Sequence, residues 1–97
     1  MAWRIEYDPG ALKDLKKLGL PAQLAIVDYT DNRIASASNP RLCGKALRGV
    51  KFGLWRYRVG DYRIVCEIQD ARMIVLVVVV GHRIKVYEPK SGIWHRL

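Results

Sequence analysis

Cysteines and long apolar runs are scarce in this sequence of 97 residues. Its two cysteines, Cys43 and Cys66, form neither a disulfide framework nor a metal-binding spacing, which fits a reducing cytoplasm. The longest apolar run, residues 73–81, is about half as long as a membrane-spanning helix requires, so we expect a buried strand there. The first residues lack the features of a secretory signal. We therefore expect a cytoplasmic protein with no membrane segment.

Acidic residues are few where basic residues are many. Residues 1–40 carry five Lys or Arg against five Asp or Glu, whereas residues 41–97 carry twelve against four. The net charge of +8 therefore lies in the second part of the chain, which indicates contact with an anionic polymer there. The length allows one domain over residues 1–97, and 51% hydrophobic residues are typical of a globular protein.

The first part of the chain predicts a strand and two helices. Weak alternation over residues 2–7 indicates a strand with one buried face. Asp8 before Pro9 is typical of a helix start, and Gly19 can close that helix. A second helix is predicted from about Pro21, with apolar residues at helical spacing as far as position 34. Two helices joined this closely form a hairpin.

The second part predicts a basic connection and a sheet. Residues 41–53 show no persuasive periodicity. Three strands separated by short turns follow, at residues 54–59, 62–68 and 72–80. The last strand has no polar face, so it should be central and covered on both sides. The predicted fold is α+β, with an N-terminal strand, a two-helix hairpin, a three-stranded antiparallel meander, and both helices on one face of the sheet.

The turn at Gly60 and Asp61 fixes which arginines meet. Glycine at the first loop position suits a two-residue type II′ hairpin, because φ must be positive there. This register places Arg58 directly opposite Arg63 and puts Arg56 on the same face, with the aromatic side chains on the other.

Arginines on an open sheet face are often only solvated. However, like charges placed opposite each other destabilise a strand pair by up to roughly 1 kcal/mol, so folding alone gives no reason for this pairing. An anion between the guanidinium groups reverses the sign of that energy. The three arginines therefore predict a phosphate-binding face, for which the planar, permanently charged guanidinium is well suited. Arg83 and Tyr87, just beyond the last strand, can join it.

The order of these segments resembles the RelE/ParE superfamily of bacterial toxins from toxin–antitoxin pairs, and its RelE branch in particular. The resemblance covers nearly the whole chain, from the opening strand and the basic first helix to the arginine-rich hairpin and the segment after the last strand. It is carried by residues 11–18, 47–49, 55–65 and 80–83, followed by Tyr87.

The resemblance implies a microbial-ribonuclease-like fold and cleavage of messenger RNA in the ribosomal A site. The 2′-hydroxyl of the RNA attacks the adjacent phosphate without a metal or another cofactor, giving a 2′,3′-cyclic phosphate and a free 5′-hydroxyl. By position, the implied catalytic residues are Arg56, Arg58, Arg63, Arg83 and Tyr87. The best-known RelE pattern has lysines at the first two positions, and arginine cannot usefully be deprotonated. Tyr87 and His82 are then the local candidates for the base, or the arginines act only electrostatically.

The resemblance also implies the partners. We expect an acidic, RelB-like antitoxin, the ribosome and its messenger RNA, and operator DNA only through the antitoxin complex. Other basic residues are expected to contact the RNA or the ribosome, namely Lys13, Lys16, Lys17, Arg48, Lys51 and Lys85. Two alternatives stay open, which are a ParE-like toxin that inhibits DNA gyrase and a non-catalytic protein of the same fold that binds RNA or the antitoxin.

Overall fold

The protein, seen in a computed structural model that describes residues 3–47 and 54–82, has two helices packed on one face of a mixed five-stranded sheet. The strands lie in the order β1-β5-β4-β3-β2, with β1 parallel to β5 and every other pair antiparallel. The helices are α1 (Pro9–Lys16) and α2 (Leu20–Tyr29). The strands are β1 (Arg4–Tyr7), β2 (Lys45–Ala46), β3 (Leu54–Val59), β4 (Tyr62–Gln69) and β5 (Ile74–His82). The predicted α+β class and helix layer are confirmed.

Helix α1 begins as predicted, but it ends earlier. The Asp8 side chain accepts a hydrogen bond from the Gly10 amide at 2.9 Å, and Pro9 occupies the first turn. The prediction that Gly19 closes α1 was wrong, because Lys17 caps that helix and Gly19 is instead the N-cap of α2, with φ of −64°. Pro21 in the first turn of α2 fits this start, since its missing N–H would have had no helical partner.

The second helix does not continue regularly to Ile34. After Tyr29 the chain forms a π-helical turn, Thr30–Ile34, in which the Ala35 amide donates to the Thr30 carbonyl at 2.9 Å. The Thr30 hydroxyl is buried, donates to the Val27 carbonyl at 2.9 Å and lies 3.0 Å from the Tyr7 hydroxyl. These hydrogen bonds link α2 to β1 at the point where the regular helix ends.

Loss of the Thr30 hydroxyl should destabilise the fold. Thr30→Val removes the donor to Val27 and leaves the Tyr7 hydroxyl without its partner, so we expect a loss of about 1–3 kcal/mol in the free energy of unfolding. Urea titration measures it. Ser36→Ala is the matched control, because the exposed Ser36 hydroxyl also donates to a backbone carbonyl, that of Asn32. Equal losses in the two variants would contradict this role for Thr30.

The core lies between the helices and the sheet. Ala11 and Leu15 of α1, together with Ile26 of α2, are buried against β3, β4 and β5. From the sheet they meet Tyr57, Ile64, Cys66, Ile68, Val75, Val77 and Val80. Strand β5 is flanked by β1 and β4, as its apolar sequence predicts. It begins at Ile74, two residues later than predicted, because Asp70–Arg72 form a 3₁₀ turn and Met73 is left-handed with φ of 53°.

A bulge in β5 changes which side its last residues face. Val77 pairs with Cys66 and Val79 with Val65, so Val78 is an extra residue between two pairs. Beyond the bulge, Val79 lies on the face away from the helices and Val80 joins the helix-side core. For the same reason, Gly81 lies on the face away from the helices, where it pairs with Arg63. His82 lies on the helix side, where it pairs with Tyr62.

Candidate functional site

The hairpin of β3 and β4 places two arginines directly opposite each other. Arg58 pairs with Arg63, and the whole predicted register is confirmed. Gly60 has a φ of 58°, whereas Asp61 does not have a positive φ. This combination fits a type II′ turn, which requires a positive φ only at the first of its two central residues. Side chains at such positions have Cβ atoms roughly 4.5–5.5 Å apart, so the two guanidinium groups share one patch of surface.

A lysine that the sequence did not single out joins this patch. Strand β2 has only two residues, and it pairs with β3 so that Lys45 lies opposite Arg56. Lys45 is exposed, and Arg56 is half-buried. Alternation in β3 puts Arg56 and Arg58 on the same side of the sheet, about 6.8 Å apart along the strand. Four cationic side chains from three adjacent strands therefore occupy one face.

These residues line a cleft of about 290 Å³ on the side of the sheet away from the helices. Its lining consists of Gly44, Lys45, Arg56, Tyr57, Arg58 and Arg63. The lining contains no carboxylate among the residues that the structure describes. Glu67 is on the same face beyond Val65, and its Oε1 accepts a hydrogen bond from Gln69 at 2.9 Å. The cleft therefore offers positive charge and N–H donors to an anion.

The turn itself holds Arg63 in position. Its Nη1 donates to the backbone carbonyls of Gly60 and Tyr62, at 3.0 and 2.9 Å. Both bonds use Nη1, and within residues 3–47 and 54–82 no acceptor takes the N–H groups of the other two nitrogens. Fixing a long side chain before an anion arrives reduces the rotamer entropy lost on binding.

Two aromatic side chains anchor the segment that leads into β2. The Tyr57 hydroxyl donates to the Pro40 carbonyl at 2.6 Å, and Trp55 Nε1 donates to the Cys43 carbonyl at 2.7 Å. Burial raises the pKa of Tyr57, so the phenol stays protonated as a donor. Arg41 forms a bidentate salt bridge with Asp70, with hydrogen bonds of 2.8 and 2.9 Å. These hydrogen bonds lower the pKa of the Asp70 carboxyl.

Gly44 allows the closest approach in this region. Its φ is +75°, and a Cβ there would lie 2.3 Å from the Arg56 carbonyl oxygen and 2.8 Å from Trp55 Nε1. Only glycine fits both the backbone conformation and the space. Lys45 therefore follows a residue that is tightly packed against β3.

The structure does not bring His82 to the cleft. His82 pairs with Tyr62, whose ring packs on the helix-side core, and the two rings meet edge to face at 5.9 Å between centroids. The guanidinium groups lie on the opposite face. In the sequence, His82 stands next to Arg83. The face of the sheet on which His82 lies could not be predicted, because the bulge at Val78 leaves no signal among four consecutive valines.

Other predicted residues lie apart from the cleft or outside the described ranges. Lys13 and Lys16 of α1, with Lys17 at its end, are exposed on the helix layer, on the other side of the sheet. Arg48, Lys51, Arg83, Lys85 and Tyr87 lie outside the described residues. Within residues 3–47 and 54–82, there is no group of three His, Cys, Asp or Glu side chains able to hold a metal ion. The same residues contain no helix long and apolar enough to cross a membrane.

Residues 5–87 match a family described as the ParE toxin of the type II toxin–antitoxin system parDE. Toxin RelG of Mycobacterium tuberculosis (strain ATCC 25618 / H37Rv) is 29% identical over 87 residues, which are 90% of this chain and 98% of RelG.

Solved structures of toxins are also similar to this chain. The toxin–antitoxin complex RelBE2 of Mycobacterium tuberculosis contains a chain with a TM-score of 0.78 and 28% identity, over 86% of this chain and 93% of that one. The isolated RelE toxin of E. coli has a TM-score of 0.67 and 25% identity, over 84% of each chain.

Proposed function

The chain belongs to the RelE/ParE superfamily of toxins from type II toxin–antitoxin systems, and on this premise we propose that it is a ribosome-dependent endoribonuclease. Its substrate is messenger RNA in the A site of cytoplasmic ribosomes. The observation that carries this proposal is the cleft in which Arg58 faces Arg63 beside Arg56. The pairing of Arg58 with Arg63 does not stabilise the fold, because like charges repel. A phosphodiester bound between the two arginines removes this repulsion.

The proposed reaction is an in-line transfer at phosphorus. The 2′-oxygen forms a bond to the adjacent phosphorus as the bond from phosphorus to the 5′-oxygen breaks, giving a 2′,3′-cyclic phosphate and a 5′-hydroxyl. The arginines neutralise charge on the nonbridging oxygens, and the ribosome supplies alignment. We assign Arg83 to the same charge stabilisation. Because His82 lies on the other face, we propose that Tyr87, in its phenolate form, accepts the 2′-hydroxyl proton. The leaving 5′-oxygen takes a proton from water.

Mapping of 5′ ends on programmed ribosomes tests this activity. Purified toxin should cut the message within the A-site codon and leave a 5′-hydroxyl end. Free RNA of the same sequence is the control, and it should be cut far more slowly because the ribosome no longer aligns the linkage. An intact A-site message at high toxin excess would reject the proposal.

The lysines of α1 are proposed to aid association with the ribosome and not the chemical step. Lys13, Lys16 and Lys17 lie on the helix layer, and exposed charges act over roughly 10 Å at about 0.1 M salt. Replacing all three by glutamine should weaken ribosome binding at low salt and have little effect at high salt. Cleavage on prebound ribosomes should be unchanged, with Arg33→Gln as an exposed control. Slower cleavage by prebound toxin would contradict this separation.

We propose an acidic, amphipathic antitoxin as the inhibitor. Charge complementarity to the basic cleft supports it, and Leu20 and Leu24 of α2, 64% and 61% exposed, offer apolar surface on the other side of the molecule. The RelBE2 relative was solved as a toxin–antitoxin complex. Operator DNA would be contacted only through such a complex.

A gyrase-directed toxin is the second candidate, because the matching family is described by its ParE member. Under that hypothesis the protein blocks DNA supercoiling and leaves A-site messages intact. A supercoiling assay with purified gyrase separates the two candidates, since the nuclease hypothesis predicts no inhibition.

A further inference from the structure

The four cations of the cleft form two separate cross-strand pairs. Arg58 on β3 faces Arg63 on β4, and Arg56 on β3 faces Lys45 on β2. Within each pair the Cβ atoms are roughly 4.5–5.5 Å apart, a spacing that lets one anion contact both side chains. The cleft therefore has two places for a phosphate.

The two places are offset in a regular way. Arg56 and Arg58 are two residues apart on β3, which is about 6.8 Å along the strand. The two places also lie on either side of β3, about 4.8 Å apart across the sheet, so their full separation is roughly 8 Å. Long arginine and lysine side chains can adjust this separation to successive phosphates of one strand. Because Lys45 and Arg63 belong to strands on opposite sides of β3, the line joining the two places runs obliquely across the sheet.

The backbone at Lys45 is held in place on both sides. The chain before it is packed against β3 at Gly44, and the bonds from Tyr57 to Pro40 and from Trp55 to Cys43 hold the same segment. The Leu47 amide continues the pairing with a bond to the Leu54 carbonyl at 3.0 Å. The backbone on both sides of Lys45 is therefore fixed to β3.

We propose that the cleft binds two successive phosphodiester groups of one RNA strand, one between Arg58 and Arg63 and the next between Arg56 and Lys45. This inference rests on the proposed function, because it takes the scissile linkage and its neighbour as the two groups. Lys45 becomes a substrate-binding residue that sets how the strand lies, while the chemistry occurs at the other pair. Flexible single strands suit it, since their phosphates can follow an oblique path.

Short uncleavable ligands test this arrangement directly. The probes are 2′-O-methyl RNA trinucleosides with two phosphodiester linkages, or with one of the two replaced by an uncharged methylphosphonate. The full-length toxin should bind the doubly charged ligand roughly threefold to tenfold more tightly than either singly charged ligand. Lys45→Gln should lose that difference, Lys45→Arg should keep it, and Arg33→Gln serves as the control with an exposed cation outside the cleft.

The salt dependence gives a second readout on the same samples. Losing one phosphate contact reduces the slope of log affinity against log salt by about 0.7 for a single strand, so Lys45→Gln should show this reduction on the doubly charged ligand. A wild type that binds all three ligands equally, or binds none, would overturn the proposal. So would a Lys45→Gln variant that still distinguishes them. No cleavage is involved, so failure here is distinct from failure of the ribosomal nuclease assay.

Discussion

Arg58→Gln and Arg63→Gln are each expected to slow single-turnover cleavage on programmed ribosomes by about 10²–10³-fold. The two guanidinium groups face each other across β3 and β4, where they can stabilise charge that develops on the nonbridging oxygens. Because this charge grows in the transition state, the loss should fall on the rate of cleavage and not on ribosome affinity. Rates measured at saturating toxin, with affinity measured separately, check the expectation.

Stability provides the control for this prediction. Arg58→Gln relieves a like-charge pair, so we expect the free energy of unfolding at low salt to stay the same or to rise by up to about 1 kcal/mol. Arg63→Gln also loses the bonds to the Gly60 and Tyr62 carbonyls, so it should not share this gain. A slow Arg58→Gln variant that is also markedly unstable would mean that Arg58 serves the fold. Equal losses of cleavage rate and ribosome affinity would mean that Arg58 does not act specifically on the transition state.

Gly44→Ala is expected to cost about 2–5 kcal/mol in the free energy of unfolding. Left-handed backbone at a residue with a Cβ costs roughly 1–2 kcal/mol, and overpacking adds about 1–3. The added carbon would lie 2.3 Å from the Arg56 carbonyl oxygen, so either the segment or β3 must shift. Urea unfolding measures the loss. Cleavage should fall as well, because Arg56 and Lys45 lie on the two strands that are forced apart.

Gly60→Ala is the matched control for Gly44→Ala. Gly60 also has positive φ, at 58°, but nothing lies within 4 Å of an added Cβ. We expect only the backbone cost there, about 1–2 kcal/mol. The difference between the two variants isolates the close approach of the segment to β3. If both variants lose the same stability, Gly44 is needed only for its conformation.

The hairpin could be predicted from sequence because its signals are local. Gly60 supplies the positive φ, and alternation on both sides of the turn leaves only one register that buries Tyr57 and Ile64 together. Once the register is known, the meeting of Arg58 and Arg63 follows. The helix start at Asp8 was equally readable, since its side chain and Pro9 act within three residues.

Other features depend on contacts between distant segments. Strand β2 has two residues, too few for any periodicity, and the segment before it is held against β3 by hydrogen bonds from Tyr57 and Trp55. Lys45 was therefore missing from the predicted site. The glycine at position 44 within a basic segment was the available signal, because glycine often marks close approach of two backbones.

Two irregular features of the backbone could not be predicted from the sequence. The bulge at Val78 turns His82 to the helix side, and an unbroken apolar run cannot reveal a bulge because every residue in it suits either face. The π-helical turn after Tyr29 begins at Thr30, which bonds to Tyr7, 23 residues away along the chain. A contact between such distant residues leaves no local signal in the sequence.

The central claim is that the arginines of the cleft act on the phosphate that is cleaved. The most direct test uses programmed ribosomes whose message carries one phosphorothioate, of either stereochemistry, at the A-site linkage. Replacing a contacted oxygen by sulfur should slow the wild type for one of the two stereoisomers, and this penalty should shrink or vanish in Arg58→Gln. A penalty of the same size in the wild type and in Arg58→Gln would contradict the account.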